Sequence, residues 1–297
     1  MQLSIIIVSY NTNNLTIQTI ESVGFDSRHE IIVVDNDSKD GSVKTLKERF
    51  GNKIKIIERH DNGGFAKANN EGIKAAKGDY ILLLNSDTIV VSGAIDSMVK
   101  TLEENPKVGI LSCRLLNPDG SYQSQGGGLP TFWNIAWWWL WPLPGNVPFV
   151  NPYQNSTVIQ KEDRPDHIIK RGWVGGTAMM IRKEVIEQIG GLDEKIFMYA
   201  EDVDYCIRAH QKGWLIGITP NASITHIGSA STSSNHALLG EVKGLNYLSK
   251  KHFPFWQRPL VYLILLKGAI LRGFLFGILL GRADARSLYG AILRELT

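Results

Sequence analysis

Short apolar, β-branched runs recur along the first part of the chain, and each closes on small polar residues. Leu3 to Ser9 is the first such run, followed by the polar turn Asn11 to Asn14. Leu15 to Val23 then carries apolar residues at helical spacing. Glu30 to Val34 predicts a second buried strand ending at Asp35. A loop over 35–42 leads to a helix from Val43 to Phe50. Ile54 to Glu58 predicts a third strand, and Phe65 to Ala76 a helix with Gly78 just past its end. Tyr80 to Leu84 predicts a fourth strand, delivered to Asn85-Ser86-Asp87. This alternation predicts an α/β fold, with a mostly parallel sheet and helices on both faces. In such sheets ligands bind at the carboxyl ends of the strands.

The pattern changes over residues 111–174. Gly126-Gly127-Gly128 and the prolines between Pro118 and Pro165 interrupt regular structure. Trp133, Trp137, Trp138, Trp139 and Trp141 crowd one short stretch of it. They read as a packed mini-core, a membrane-interface anchor or a platform for a sugar or lipid acceptor. Beyond Pro254 the chain is apolar again, with Lys267 and Arg272 interrupting the roughly 20 residues that a transmembrane helix needs. Apolar helices with basic residues and flanking aromatics lie in a membrane interface. Arg258, Lys267, Arg272, Arg282 and Arg286 would meet anionic head groups there. A homodimer seam and a true span are the alternatives. The expected organisation is a catalytic domain over residues 1–240, with an acceptor-side insertion at 111–174, and a C-terminal amphipathic helical segment over 241–297.

Composition narrows the class. A chain of 297 residues with 43% hydrophobic and 21% charged residues has enough apolar mass for a full core. A net charge of +3 without a basic block gives no case for nucleic acid. Cys113 and Cys206 are too few for a disulfide framework and suit a reducing compartment. The apolar start is short and lacks a basic leader, so it reads as a strand and not a signal peptide. The glycosylation patterns at Asn155-Ser156-Thr157 and Asn221-Ala222-Ser223 then carry no role. His60, His167, His210, His236 and His252 show no metal-ligand spacing.

The polar residues that could carry chemistry fall at the strand ends. Ser9, Tyr10 and Asn11 follow strand one, Asp35 and Asn36 strand two, Asn62, Gly63 and Gly64 strand three, and Asn85, Ser86 and Asp87 strand four. Turns favour such residues anyway. Yet Asp87, at the end of an apolar strand, is well placed to hold a divalent ion against a diphosphate. The paired glycines allow close backbone approach to a ligand before a helix. Further on, Glu201, Asp202 and Asp204 crowd an otherwise apolar and aromatic segment. They read either as an acidic helix start or as a base or ligand whose burial is offset by a proton or cation. On a helix, Glu201 and Asp204 share one side with Arg208, and Asp202 faces elsewhere, over Cys206.

Taken in order, these blocks resemble the family 2 glycosyltransferases of the GT-A fold. The rhamnosyltransferase-like branch that extends bacterial cell-surface polysaccharides is the nearest. The resemblance runs through Ser4 to Asn11, Val33 to Asn36 with Asp40-Gly41-Ser42, and Asn62 to Ala66 with Asn69-Asn70. It continues through Leu84 to Thr88, Gly175 to Ala178, Gly191 to Glu194 with Phe197, Glu201 to Asp204 with Arg208, and His226. It implies that Asp35 contacts the donor's pyrimidine base, with Ser9, Tyr10, Asn11, Asn36, Asn62, Gly63, Gly64, Asn69, Asn85 and Ser86 on the donor side. It implies that Asp87, the acid of the family's DXD motif whose first acid is here Asn85, holds Mg2+ or Mn2+ with His226. It implies that Asp202 is the catalytic base and Glu201 its neighbour. Trp173, Gly175, Gly176, Asp204 and Arg208 fall on the acceptor side, with an ion pair as the alternative for the last two. The implied activity is a metal-dependent inverting transfer from dTDP-L-rhamnose to a lipid-linked oligosaccharide, on the cytoplasmic face of the cell membrane. A UDP-sugar donor and a non-catalytic nucleotide-sugar-binding scaffold are the alternatives.

Overall fold

The computed structural model describes residues 2–140, 167–228 and 234–297. Trp141 and the Asn155-Ser156-Thr157 pattern lie outside the described residues. The chain divides into two compact units. The first takes residues 1–127, 156–197 and 201–231, and the second takes 128–155, 198–200 and 232–297.

The first unit is built on strands β1 (Leu3–Ser9), β2 (His29–Asp35), β3 (Lys55–Glu58), β4 (Tyr80–Asn85), β5 (Thr88–Val90) and β6 (Val108–Leu116). It adds the short β7 (Tyr122–Gln123), β8 (Gly126–Gly127), β9 (Ile169–Lys170) and β10 (Trp173–Val174), then β11 (Ala178–Arg182) and β12 (Leu215–His226). Helices α1 (Asn13–Val23), α2 (Ser42–Phe50), α3 (Gly64–Ala75) and α4 (Ala94–Glu104) fill the first crossovers. The second unit begins with α5 (Phe132–Leu140), while α6 (Lys183–Ile189) and α7 (Glu201–Gln211) belong to the first.

The main sheet runs β3-β2-β1-β4-β11-β6-β12-β5. Strands β3, β2, β1 and β4 are parallel, as the alternating pattern predicts. Their register sets Ser9 beside Asp35, Asp35 beside Glu58 and Val8 beside Asn85, so their carboxyl ends share one edge. Helices cover both faces. Ile5 and Ile7 join the core that holds Ile17, Ile20 and Leu46. Ile6 faces the other way, and a Cβ on Gly72 of α3 would stand only 2.4 Å from its Cγ2. β11 departs from the parallel pattern. It lies antiparallel between β4 and β6, pairing Ala178 with Leu84 and Ile181 with Ile110.

The second unit continues with α8 (Ser234–His252), α9 (Gln257–Arg272), a wider helical stretch over Gly273–Leu279 and α10 (Ala283–Leu296). Val261, Leu265, Gly268 and Ala269 form the inward stripe of α9. Trp139 is fully buried and donates its indole N–H to the Leu265 carbonyl at 2.6 Å. Gly268 lets it in, because a Cβ there would lie 2.1 Å from the indole Cδ1. Trp133 and Trp137 are exposed. The tryptophan cluster therefore divides between core and surface. Arg272, expected at lipid head groups, turns inward instead. Its guanidinium lies over the Trp138 and Trp139 rings and donates to the Trp138 carbonyl. Arg282 pairs with Asp284 at 3.2 Å. The continuous helix Gln257–Leu279 is long and apolar enough to cross a membrane by length and composition.

Candidate active site

The parallel strands deliver the predicted donor residues to one edge, where they differ in how they are engaged. Asp35 is buried, and its Oδ2 accepts the Ser38 N–H at 3.0 Å. Its Oδ1 is also buried and has no hydrogen-bond partner among the described residues. An orphaned buried acceptor costs free energy unless a donor reaches it. Asn36 braces the loops. It donates to Asn62 at 2.7 Å and accepts from Arg59 at 3.0 Å and from the Gly63 N–H at 3.3 Å. Asn62 in turn accepts the Gly64 N–H at 3.2 Å. Gly64 has φ +82°, and a Cβ there would stand 2.3 Å from the Phe197 carbonyl oxygen.

Ser9 and Asn69 are likewise supporting in character. The Ser9 hydroxyl is buried against Thr12 and Thr16, and Thr12 reaches the Ser86 hydroxyl at 3.0 Å. Asn69 is buried and donates back to the Phe65 carbonyl. Asn11, at φ +53°, accepts the Lys39 N–H and donates its own N–H to Ser38. Tyr10 is exposed. The Asn85 side chain makes no hydrogen bond among the described residues.

Strand pairing brings Asp87 and His226 together. Antiparallel β5 and β12 set His226 opposite Thr88, and the Ile227 N–H donates to the Asp87 carbonyl at 2.9 Å. His226 Nε2 then lies 3.3 Å from Asp87 Oδ1. Two neighbouring donors on an octahedral ion with 2.1 Å bonds stand about 3 Å apart, so this pair fits Mg2+ or Mn2+. No group of three His, Cys, Asp or Glu ligands occurs among the described residues. A cation here would complete its shell with diphosphate oxygens and water, as Mg2+ commonly does.

The acidic cluster opens α7, after two non-glycine residues of positive φ, Tyr199 at +67° and Ala200 at +88°. Such backbone conformations collect at functional sites. Asp202 is half-buried and held at both oxygens. Oδ1 accepts the Val203 N–H at 2.8 Å, and Oδ2 accepts the Gly176 N–H at 3.3 Å. Burial pushes its carboxyl up to about 6, against the lowering effect of the backbone N–H groups of Val203 and Gly176. Glu201 is buried with Oε2 unpartnered, and burial, then the Asp202 charge, raises its carboxyl well above the usual range. Asp204 is fully buried and pairs with Arg208 at 2.8 Å, one helical turn on. Arg208 also donates to the carbonyls of Ile189 and Gly191. This pair ties α7 to the loop after α6, and Asp202 faces elsewhere, as the helical phase requires.

Gly175 carries no side chain where a Cβ would lie 3.8 Å from Asp202 Oδ2 and 3.4 Å from Gln125 Oε1. Gly176 admits the Phe65 ring, which would stand 2.9 Å from a Cβ there. Trp173, expected to offer a stacking surface, is buried in β10 beside Gly127. Three supporting residues escape a reading of local sequence. Arg59 is buried between Asp61, Glu71 and Asn36. Gln125 is buried and donates to Ser112 and to the carbonyls of Gly175 and Ala178. Gln123 bonds to His226 at 2.8 Å. The run Ser121-Tyr122-Gln123-Ser124-Gln125 is polar nearly throughout, so nothing local singles out the two glutamines.

Residues 4–190 match the family model "Glycosyl transferase family 2", and the chain belongs to that family. Among curated proteins it is 26% identical over 249 residues to the N-acetylglucosaminyl-diphospho-decaprenol L-rhamnosyltransferase of Mycobacterium tuberculosis, covering 77% of this chain and 78% of that protein. Among solved structures it is similar to the mannosyltransferase PcManGT of Pyrobaculum calidifontis in complex with GDP-Man and Mn2+. That match has a TM-score of 0.58 and 16% identity, over 98% of this chain and 85% of that one. GalNAc-T7 with UDP, GalNAc and Mn2+ matches with a TM-score of 0.57 and 17% identity, over 85% of this chain and 50% of that one. The fold is GT-A.

Proposed function

We propose that this family 2 glycosyltransferase is metal-dependent and inverting, and moves L-rhamnose from dTDP-L-rhamnose onto a lipid-linked glycan in cell-surface polysaccharide synthesis. The observation that carries the reading is Asp202, pinned by two backbone N–H groups beside the side-chain-free Gly175 and raised to about 6 by burial. A carboxylate so held suits a general base near neutral pH. It takes the proton of the acceptor hydroxyl as that oxygen bonds to the anomeric carbon. The carbon's bond to the diphosphate oxygen breaks, its electron pair leaves with the nucleoside diphosphate, and Asp202 returns the proton to solvent.

Asp87 and His226 would hold Mg2+ or Mn2+, which when bound offsets the charge gathering on the diphosphate. The orphaned Asp35 Oδ1 suits the N3–H donor of thymine or uracil. A double displacement would need a second carboxylate as nucleophile, and the buried, proton-favouring Glu201 is poorly suited to that role. The rhamnosyltransferase name of the M. tuberculosis relative, whose substrate is decaprenol-linked, supports L-rhamnose as the sugar and a lipid-linked acceptor. An exposed apolar stripe on α9, with Lys267 within it, supports peripheral attachment to the inner membrane face.

The test is release of nucleoside diphosphate from a panel of dTDP-, UDP- and GDP-sugars, with a polyprenyl-diphosphate-linked acceptor and Mn2+ or Mg2+. Turnover with dTDP-L-rhamnose is expected. Turnover with a UDP-sugar alone would replace the donor, and no turnover with any donor would favour a binding scaffold. Asp202→Asn is expected to lose activity by about 10²–10⁴-fold with an unchanged melting temperature.

A further inference from the structure

We infer that Gln123 is a positioning residue that fixes the ring tautomer of His226, so that Nδ1 carries the proton and Nε2 presents a lone pair beside Asp87. The inference rests on the reading of Asp87 and His226 as metal ligands. His226 touches Gln123 at two points. Its backbone carbonyl accepts from Gln123 Nε2 at 3.0 Å, and its ring Nδ1 lies 2.8 Å from Gln123 Oε1. A carbonyl can only accept, so the Gln123 atom facing it must be the NH2. The atom facing Nδ1 is then the amide oxygen, which also only accepts. Nδ1 must therefore donate.

A second anchor, independent of the first, gives the same polarity. Gln123 Nε2 also donates to Asn117 Oδ1 at 2.7 Å, and Asn117 Nδ2 donates to the Ser121 hydroxyl at 2.8 Å. The Ser121 hydroxyl donates to Asp119 Oδ1 at 2.6 Å, and the Ser121 N–H donates to the same oxygen at 2.9 Å. These bonds hold the Asp119 carboxyl below its usual range, so it only accepts. The chain Asp119, Ser121, Asn117, Gln123, His226 thus has one allowed direction, read from a surface carboxylate to the ring. Reversing the Gln123 amide would set its oxygen against two acceptors, the His226 carbonyl and Asn117 Oδ1.

The fold places this chain where it can act. Gln123 lies on β7, which pairs with the end of β6, and β12 pairs with the same strand on its other side. With Nδ1 donating, the neutral ring turns its Nε2 lone pair toward Asp87 Oδ1 at 3.3 Å, acceptor facing acceptor, an arrangement that a cation held between the two would relieve. A metal-binding histidine is commonly oriented in this way by an acceptor on its other nitrogen, and losing that acceptor weakens metal affinity about 10–100-fold.

Two measurements on the full chain test this. Long-range proton–nitrogen spectra of the 15N-labelled, metal-free protein at mildly alkaline pH report the His226 tautomer directly. The Nδ1–H form is expected, and Gln123→Leu is expected to shift the ring toward Nε2–H. Titration of Mn2+ alone, followed by electron paramagnetic resonance, is expected to show affinity reduced about tenfold or more in Gln123→Leu. Gln123→Glu keeps an acceptor toward Nδ1 and is expected to retain the tautomer. An Nε2–H ring in the native protein, or a Gln123→Leu variant with native tautomer and native Mn2+ affinity, overturns the inference. A native Nδ1–H ring that Gln123→Leu disrupts, in a protein that binds no Mn2+, upholds the positioning role and removes the metal reading instead.

Discussion

The backbone N–H of Gly176 donates to Oδ2 of Asp202 at 3.3 Å. The next carbonyl along, that of Thr177, accepts the Asn85 N–H at 3.0 Å. One strand entry therefore links the acid proposed to take a proton with the segment that carries Asp87. The proposed base is held by backbone, which side-chain substitution cannot remove, and its ionisation follows from where that backbone puts it.

The first consequence is a pH dependence. Burial raises Asp202 to about 6, and the base works only when deprotonated. Above that value the working form dominates. Below it the rate is expected to fall about tenfold for each pH unit. Glu201, buried and without a partner on Oε2, is also raised well above the usual carboxylate range, by burial and then by the Asp202 charge. Initial rates across pH 4.5 to 8.5, with stability checked at each point, give the profile. A rate that stays level well below pH 6 would remove Asp202 as the base.

Two glycines separate catalysis from folding. In Gly175→Ala the new methyl meets Gln125 Oε1 at 3.4 Å and Asp202 Oδ2 at 3.8 Å, both ordinary contacts. The variant is expected to fold normally and to lose about tenfold or more in kcat/KM, because the methyl fills the space beside the carboxylate. In Gly64→Ala the methyl would lie 2.3 Å from the Phe197 carbonyl, on a backbone at φ +82°. It is expected to cost about 2 kcal/mol or more in stability. Denaturant midpoints and steady-state kinetics on both variants distinguish the two effects.

The Asp204–Arg208 pair is expected to matter for stability. Asp204→Ala leaves a largely buried guanidinium without its carboxylate, at a cost of about 3–5 kcal/mol. Arg208→Lys is not expected to rescue, since one ammonium cannot reach Asp204 and both the Ile189 and Gly191 carbonyls with the same fork. Unfolding curves check both. An Asp204→Ala protein of native stability and reduced acceptor affinity would return the pair to the acceptor side.

From Trp256 through α9 and the wider stretch after it, Trp256, Leu260, Leu263, Ile270, Phe274 and Ile278 are exposed at helical spacing. Glutamates at Leu263, Ile270 and Ile278 together are expected to leave the melting temperature near native and abolish flotation with phosphatidylglycerol-rich vesicles. Retained flotation would sink the membrane reading. Retained flotation with a change from dimer to monomer in light scattering would make the stripe a seam between copies.

The residues legible in the sequence were those whose surroundings are local. In strand Leu3–Ser9 the run Ile5-Ile6-Ile7 is apolar without alternation because both faces of the sheet are covered there, and it reads as such. Asp204 and Arg208 pair one turn apart, as helical phase predicts. β11 could not be placed, because nothing in Ala178–Arg182 tells an antiparallel insertion from another parallel strand. Gln123 meets His226 across 103 positions, and Trp139 meets Leu265 across 126, so neither role leaves a mark on neighbouring residues. Arg272 misled for the same reason. Its apolar flanks suggested a lipid surface, while its partners lie on α5.

The antiparallel strand between β4 and β6 works as a ruler. Strand register moves only in whole steps, and a slip of one residue would exchange the buried faces against which Met179 and Met180 pack. Loops that precede β11 can therefore lengthen, shorten or change their chemistry while the offset between Asn85 and Gly176 stays the same. A scaffold of this kind lets new acceptors be tried without re-solving the reaction each time.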